Sequence, residues 1–201
     1  MVFVAGATGA VGQVFVGQAE SAGLVVRPHV RPGSEAKLDH PNGVVLDLDG
    51  PDLAEAMTGC DAVVQLIGTM RKRFHTGDTY ETSDIGTTRH LVAAARATDV
   101  AHLVLLSSVG AGRPTGPYLK AKAAAEALVT GSGIPFTILR PSAFEDREGQ
   151  WMPGVRSVTR LLGMKRYEPI RLDELATAIV HALQRGPQGV LEGESLWAAV
   201  R

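Results

Sequence analysis

The chain begins with a short apolar run that leads directly into a glycine-rich turn. Residues 2–5 are apolar and partly β-branched, which is typical of a buried strand. Glycine then recurs at every third position, and it permits both a tight turn and a close approach of the following helix to the strand. The start of that helix would offer N–H groups and a positive dipole, which suit a pyrophosphate. The residues predicted to form this site are Gly6, Thr8, Gly9, Ala10, Val11 and Gly12.

The spacing of these glycines is G-x-x-G-x-x-G, whereas the common dinucleotide-binding fingerprint is G-x-G-x-x-G. A glycine triplet alone is weak evidence, and a structural connection without a ligand is the alternative. The position between an apolar strand and a helical pattern favours the dinucleotide site.

Strand-length apolar segments alternate with helical patterns along the chain. The predicted strands cover residues 2–5, 24–30, 43–46, 62–67, 102–107 and 136–139. The predicted helices cover 10–22, 51–57, 87–98, 118–130 and 172–184, with a shorter one over 154–162. The strands are apolar on both faces, so we expect an α/β fold with a doubly wound parallel sheet, a Rossmann fold. We expect one domain over residues 1–201, in which 141–201 forms a small substrate-side part and 141–154 a loop that could cover the substrate.

Composition limits the classes of partner. The net charge of −1 gives no general attraction to nucleic acid or to an acidic membrane, and no apolar stretch is long enough to span a bilayer. Cys60 is the single cysteine, so no intramolecular disulfide can form. This usage and the lack of a signal peptide pattern fit a cytoplasmic protein. A small-molecule substrate is expected, while monomer and homodimer both stay open.

The end of the second predicted strand bears on cofactor choice. An acidic residue there would bond a ribose 2′-hydroxyl, whereas an arginine can pair with a 2′-phosphate. Here Arg31 follows the strand, with Ser34 and Lys37 nearby and Arg27 as a second basic candidate. The sequence therefore favours NADP(H) over NAD(H), the alternative being that Arg31 is only a solvated loop charge.

Two further strand ends complete the predicted cofactor site. Asp47 follows the third strand, where its carboxylate could contact the edge of the adenine. The next residue, Leu48, is also predicted to belong to the cofactor site. Gly68 follows the fourth strand and would let a cofactor pass close to the backbone.

A set of residues suited to proton transfer follows the fifth strand. Ser108 ends that strand, and Tyr118 and Lys122 come next, at a spacing that places both on one face of a helix. An ammonium beside a phenol favours the phenolate, and a serine hydroxyl can bond the same substrate oxygen. The predicted catalytic residues are therefore Ser108, Tyr118 and Lys122, with Lys122 also able to bond the cofactor ribose. An ordinary amphipathic helix is the alternative.

These motifs resemble those of the atypical and extended short-chain dehydrogenases/reductases, notably the NmrA-like and nucleoside-diphosphate-sugar-epimerase-like NAD(P)H-binding proteins. The matching segments follow the family's order over nearly the whole chain: 6–12, 59–63, 106–111, 118–122 with Glu126, 132–141 and 169–176. The resemblance implies a Rossmann domain that binds NAD(P)H, with Ser108, Tyr118 and Lys122 in the catalytic positions. Two departures are the ten-residue interval from Ser108 to Tyr118 and the short part after Pro141.

Three functions follow from these observations. The first is an NADPH-dependent oxidoreductase for a small carbonyl or alcohol, which the intact Ser/Tyr/Lys set favours. The second is a non-catalytic NAD(P)H-binding sensor or regulator, which the two departures favour. The third and weakest is a nucleotide-sugar epimerase or dehydratase, since those enzymes use a larger substrate lobe.

Other residues give weaker signals. The six histidines show no paired metal spacing, so no metal site is expected. The basic cluster at residues 71–74 could grip a phosphate or could simply be solvated. Trp151 and Met152, with Phe144, could form an apolar lid or belong to the core, whereas Trp197 is expected to pack in the closing helix.

Overall fold

The computed structural model describes residues 1–68, 79–145 and 154–201. Within them, seven parallel strands form a sheet in the order β3-β2-β1-β4-β5-β6-β7. The strands are β1 (Val2–Ala5), β2 (Val26–Val30), β3 (Val44–Val45), β4 (Ala62–Gln65), β5 (His102–Leu106), β6 (Phe136–Arg140) and β7 (Gly189–Glu192). The α-helices are α1 (Ala10–Ser21), α2 (Leu53–Met57), α3 (Thr87–Ala97), α4 (Gly116–Thr130), α5 (Val155–Leu161), α6 (Leu172–Arg185) and α7 (Glu194–Val200). A π-helix (Glu81–Gly86) leads into α3, and 3₁₀ turns cover Glu35–Lys37 and Lys165–Tyr167.

Apolar side chains fill both faces of the sheet, because helices cover both. Along β1, Val2 and Val4 join one core cluster, which includes residues of α1, α6 and α7. Phe3 and Ala5 join the other, which includes residues of α2, α3 and α4. This alternation follows from the two-residue period of a strand. The predicted doubly wound parallel sheet is thereby confirmed.

The sheet topology places a crevice above the start of α1. The chain passes from β1 to β2 and β3 on one side, and β4 then pairs with the other side of β1. In such sheets, ligands bind at the carboxyl ends of the strands where the strand order reverses. The glycine turn after β1 and Gly68 after β4 both lie at this point.

Among the described residues, β7 is a strand that the sequence analysis missed. β7 is a four-residue edge strand that pairs with β6, and its Val190 is exposed. Glycine at its start and glutamate at its end leave too short an apolar run to signal a strand, so the pairing with β6 decides its conformation. β3 is likewise shorter than predicted, with two residues paired to β2 at the opposite edge.

The predicted packing of Trp197 is confirmed, and the single cysteine is also buried. Trp197 is buried in the core, and its indole N–H donates to the carbonyl of Lys165 at 3.1 Å. Cys60 is also buried in a core cluster, where burial raises the pKa of its thiol.

Candidate active site

The turn after β1 has a backbone that requires glycine. Gly6 has a φ of +91°, which favours a residue without a side chain. A Cβ on Gly12 would lie 2.2 Å from the carbonyl oxygen of Gly6 and 2.7 Å from Cα of Ala7, so α1 and the turn are in close backbone contact. This contact brings the first turn of α1 over the end of β1, where its amide groups have no acceptor within the helix.

A pocket of about 970 Å³ opens at the carboxyl ends of the strands. Apart from the second basic candidate Arg27, the residues predicted to bind the cofactor or to act in catalysis all lie in its wall: Gly6, Thr8, Gly9, Ala10, Val11, Gly12, Arg31, Asp47, Leu48, Gly68, Ser108, Tyr118 and Lys122. The tertiary structure thus brings together residues that are separated by more than one hundred positions in the chain.

One end of the pocket is formed by the residues that follow β2 and β3. Arg31, Ser34, Lys37 and Asp47 line it, together with the buried His29. Burial lowers the pKa of His29, so the ring is neutral and its Nε2 donates to the carbonyl of Leu46 at 2.8 Å. This end therefore combines cationic side chains with a carboxylate.

The second basic candidate, Arg27, does not face this pocket. Its guanidinium donates to the carbonyl oxygens of Ala56 at 2.8 Å and Thr58 at 3.0 Å, at the carboxyl end of α2. Arg27 lies nearer the start of β2 than Arg31 does, and the start of a parallel strand lies at the edge of the sheet away from the crevice. The suggestion that Arg27 contacts the cofactor is therefore wrong.

The two serines at the end of β5 differ in their contacts. Ser107 is buried, and its hydroxyl donates to Oε1 of Glu126 at 2.5 Å. Ser108 is half-buried, and its hydroxyl makes a long contact of 3.4 Å to the carbonyl of Val109. The hydroxyl of Ser108 is therefore the one better able to turn towards a ligand in the pocket.

Tyr118 and Lys122 both lie in the first half of α4. The helix places the ammonium of Lys122 6.0 Å from the centre of the Tyr118 ring. The ring of Tyr80 also lies near that of Tyr118, with 5.8 Å between the ring centroids and 57° between the ring planes. Tyr80 and Phe144 also line the pocket and give it aromatic walls.

The sequence analysis missed a carboxylate next to Lys122. Asp84 lies in the π-helix, is 1% exposed, and places Oδ1 2.9 Å from Nζ of Lys122. Nothing in the sequence distinguished it, because an aspartate a few residues before a predicted helix is typical of a helix N-terminus.

A second, largely buried ionic group, formed by Glu126, Arg140 and Glu192, lies at the carboxyl ends of β6 and β7. The carboxylate of Glu126 accepts from Nε of Arg140 at 2.8 Å and from Nη2 at 2.5 Å. Arg140 also donates to Glu192 of β7 at 3.1 Å. The two hydrogen bonds to Glu126, and then the one to Glu192, raise the pKa of Arg140. This group ties α4 to the ends of β5, β6 and β7.

Some predicted features lie outside the described residues. These are the basic cluster at 71–74 and the apolar pair Trp151 and Met152, whereas their proposed neighbour Phe144 is described and half-buried. In the described parts of the chain, no group of three or more His, Cys, Asp or Glu side chains could hold a metal ion. The helices among those same residues are all too short or too polar to cross a membrane.

The parallel sheet and the glycine turn define a dinucleotide-binding protein with a Rossmann fold. The family model described as NAD(P)H-binding matches residues 6–185, and the chain belongs to this family. The resemblance to the extended short-chain dehydrogenases/reductases is confirmed by this match and by the fold.

Named relatives come from bacteria and plants. The chain is 32% identical over 163 residues to "(4-alkanoyl-5-oxo-2,5-dihydrofuran-3-yl)methyl phosphate reductase" of Streptomyces griseus, covering 78% of this chain and 52% of that protein. It is 32% identical over 176 residues to the chloroplastic protein TIC 62 of Pisum sativum, covering 72% of this chain and 33% of that one. The chain thus spans between a third and about half of the length of these relatives.

A solved structure shares the fold. MoeE5 in complex with UDP-glucuronic acid and NAD matches with a TM-score of 0.74 at 18% identity, over 96% of this chain and 75% of that one. At this identity the likeness concerns the fold.

Proposed function

We propose that this protein is an NADP(H)-dependent oxidoreductase of the short-chain dehydrogenase/reductase type that acts on a small carbonyl or alcohol substrate. The observation that carries the proposal is that the glycine turn and the side chains of Ser108, Tyr118 and Lys122 line one pocket. Its volume of about 970 Å³ leaves room for a small substrate beside a dinucleotide. The similarity to a reductase over 78% of the chain supports the same conclusion.

The residues present fit a dinucleotide. A side chain at Gly12 would collide with the backbone of the turn, and a Cβ on Gly68 would stand 2.9 Å from Nζ of Lys122. Glycine at position 12 lets α1 begin close to the turn, and glycine at position 68 leaves space for a ligand that passes close to the backbone. The first-turn amides of α1 would bond the pyrophosphate, and Lys122 would bond the nicotinamide ribose.

We further propose a preference for the phosphorylated cofactor. Arg31 and Lys37 are exposed cations at the end of the pocket that follows β2. A guanidinium pairs well with a phosphate, whereas the acidic residue that would bond a ribose 2′-hydroxyl is not present at the end of this strand. Asp47 would contact the adenine edge from the end of β3, and Leu48 beside it would complete that wall.

The proposed roles in catalysis follow from the positions of three side chains. A bound nicotinamide cofactor supplies or accepts the hydride. In the reduction, the hydroxyl of Tyr118 donates a proton to the carbonyl oxygen of the substrate, and the hydroxyl of Ser108 donates a hydrogen bond to the same oxygen. The ammonium of Lys122, on the same helix as Tyr118, favours the phenolate that the transfer leaves behind.

One observation favours a second candidate, a regulatory protein that binds NAD(P)H without turnover. The ammonium of Lys122 is paired with Asp84 at 2.9 Å and lies 6.0 Å from the centre of the Tyr118 ring. A lysine engaged in this way can hold a ribose without assisting a proton transfer. The two candidates share the cofactor and differ in whether Tyr118 matters for a reaction.

The first experiment is a side-by-side titration of the protein with NADPH and NADH by calorimetry. We expect NADPH to bind at least about tenfold more tightly, and Arg31→Ala to remove most of that difference, since one charge-assisted pair is lost. Arg185→Ala, an exposed arginine at the end of α6, is the matched control. Equal affinities in the wild type would contradict the NADP(H) preference, and binding of neither nucleotide would contradict the proposed function.

The second experiment separates enzyme from regulator. A panel of small carbonyl compounds is screened for oxidation of NADPH, and the rate with the best substrate is measured for Tyr118→Phe. We expect a loss of about 10²- to 10⁴-fold with little change in NADPH affinity. Tyr167→Phe, half-exposed and remote in the chain from this site, is the control. The regulatory function would be favoured if the protein bound NADPH but oxidised it with none of the compounds. It would also be favoured if Tyr118→Phe retained full activity.

A further inference from the structure

A buried carboxylate, Asp84, lies directly behind the proposed catalytic lysine. It is 1% exposed and sits in the π-helix Glu81–Gly86, between β4 and α3. π-helices are rare and frequently occur at functional sites. A charged side chain with so little exposure needs a partner of opposite charge, because desolvation of a lone carboxylate is costly.

That partner is Lys122. The distance of 2.9 Å between Oδ1 of Asp84 and Nζ of Lys122 is that of an ion pair, although the contact does not have the alignment of a hydrogen bond. Nζ donates instead to the carbonyl of Leu106, at the end of β5, at 3.2 Å. An ammonium has three N–H donors, and the strand uses one of them. Nζ also lies beside Gly68, where an added Cβ would stand 2.9 Å away, so the ammonium borders the pocket.

Hydrogen bonds hold the backbone of Asp84 in place. Thr88 donates its hydroxyl to the main-chain carbonyl of Asp84 at 2.6 Å, and the side-chain amide of Gln65 donates to that same hydroxyl oxygen at 3.4 Å. Gln65 ends β4 and is itself fixed by the N–H of Ile67 at 3.0 Å. The backbone at Asp84 is therefore tied to the end of β4, whereas its carboxylate is held by the contact with Lys122.

We propose that Asp84 is the positioning residue for Lys122: its carboxylate fixes the ammonium between the end of β5 and the opening at Gly68, so that Lys122 can bond the ribose of a bound nicotinamide nucleotide. The inference rests on the proposed function, in which Lys122 holds that ribose. Asp84 acts through Lys122, and no contact of Asp84 with the nucleotide is needed.

The experiment is a double-mutant cycle on the affinity for NADPH, measured by calorimetry with wild type, Asp84→Asn, Lys122→Met and the double variant. Asp84→Asn keeps the shape of the side chain and removes its charge. We expect it to raise the Kd for NADPH about tenfold in the wild-type background, the scale of one charge-assisted hydrogen bond. In the Lys122→Met background the same substitution should change the Kd less than about twofold, because the group it positions is gone.

A control separates positioning from general damage to the helix. Thr88→Val removes the hydrogen bond to the backbone of Asp84 but leaves its carboxylate, and we expect a lower Tm with a Kd within about twofold of wild type. Should Asp84→Asn fold poorly, Asp84→Glu takes its place in the cycle. It keeps the charge but moves the carboxylate, so we expect a loss of affinity in the wild-type background and a change of less than about twofold in the Lys122→Met background.

Three results would overturn the inference. They are an unchanged Kd for Asp84→Asn, an equal loss in both backgrounds, and an equal loss for Thr88→Val. Failure of the proposed function is distinguishable from these, because the wild-type protein itself would then bind neither NADPH nor NADH, and the inference would fall with it.

Discussion

The hydroxyl of Ser107 donates to Oε1 of Glu126 at 2.5 Å and so joins the end of β5 to the middle of α4. Arg140 holds the same carboxylate from the end of β6. Ser107 is therefore engaged in the structure, and its neighbour Ser108, which also lines the pocket, is the serine that we propose contacts a ligand. Adjacent serines at one strand end thus receive different roles from their surroundings.

Substitution of each serine tests this division of roles. We expect Ser108→Ala to lower the rate with a carbonyl substrate by about 10- to 100-fold and to leave the free energy of unfolding within about 0.5 kcal/mol of wild type. Ser107→Ala should instead lower that free energy by about 1 kcal/mol, since a buried hydrogen bond is lost. Initial rates and urea denaturation give both quantities, and the reverse pattern would show that Ser107 serves the substrate.

Glu126→Gln tests the ionic group at the carboxyl ends of β6 and β7. The substitution leaves Arg140, whose side chain is 16% exposed, with Glu192 as its remaining anion. We expect a loss of about 2 to 4 kcal/mol in the free energy of unfolding, because one partner of a largely buried pair is removed. Glu194→Gln is the matched control: Glu194 is 84% exposed where it pairs with Lys165, and a change below about 0.5 kcal/mol is expected. Similar losses for both would contradict a structural role for Glu126.

Two glycines in α1 provide a matched pair for the turn. A Cβ on Gly12 would meet the carbonyl of Gly6 at 2.2 Å, whereas a Cβ on Gly17 would meet nothing within 4 Å. Gly12→Ala should cost about 1 to 3 kcal/mol of stability and weaken NADPH binding at least about tenfold, since α1 must move away from the turn. Gly17→Ala should stabilise by about 0.5 to 1 kcal/mol through its higher helix propensity. NADPH affinity that survives Gly12→Ala would argue against pyrophosphate binding at this turn.

A buried histidine makes stability depend on pH. Desolvation lowers the pKa of His102 from 6.5 to about 4, and its Nε2 lies 3.0 Å from Oγ1 of Thr137, which accepts the N–H of Gln188. Because the folded state has the lower pKa, the unfolded chain binds the proton first. This contribution to stability is therefore complete above pH 6.5 and is lost as the pH falls towards 4, by up to about 3 kcal/mol.

Urea denaturation at pH 7 and at about pH 4.5 measures this effect. His102→Gln keeps a hydrogen-bonding side chain without the titration, so its stability should fall less between the two pH values. Burial also lowers the pKa of His29, so His29 too contributes a loss of stability as the pH falls. That pH dependence should persist in the His102→Gln variant. A variant as pH-sensitive as the wild type would contradict the assignment to His102.

Much of the fold was readable from local pattern. The strands and helices of the crevice follow from apolar periodicity, and α1 begins at the predicted residue. The π-helix was not predicted, because residues 81–86 carry no apolar period, and their geometry depends on packing against α4. The strand β7 was not predicted for a similar reason, because an edge strand takes its conformation from the strand it pairs with.

The sequence by itself determined the glycine turn, the parallel sheet, and the residues that end each strand at the crevice. These depend on backbone sterics and on apolar period, which act between near neighbours in the chain. The tertiary structure alone decided that Asp84 meets Lys122, that Glu126 engages Ser107 and leaves Ser108 to the pocket, and that Arg27 turns away from it. Such contacts join residues far apart in the chain, and the desolvation that selects each charged partner arises when the strands and helices pack together.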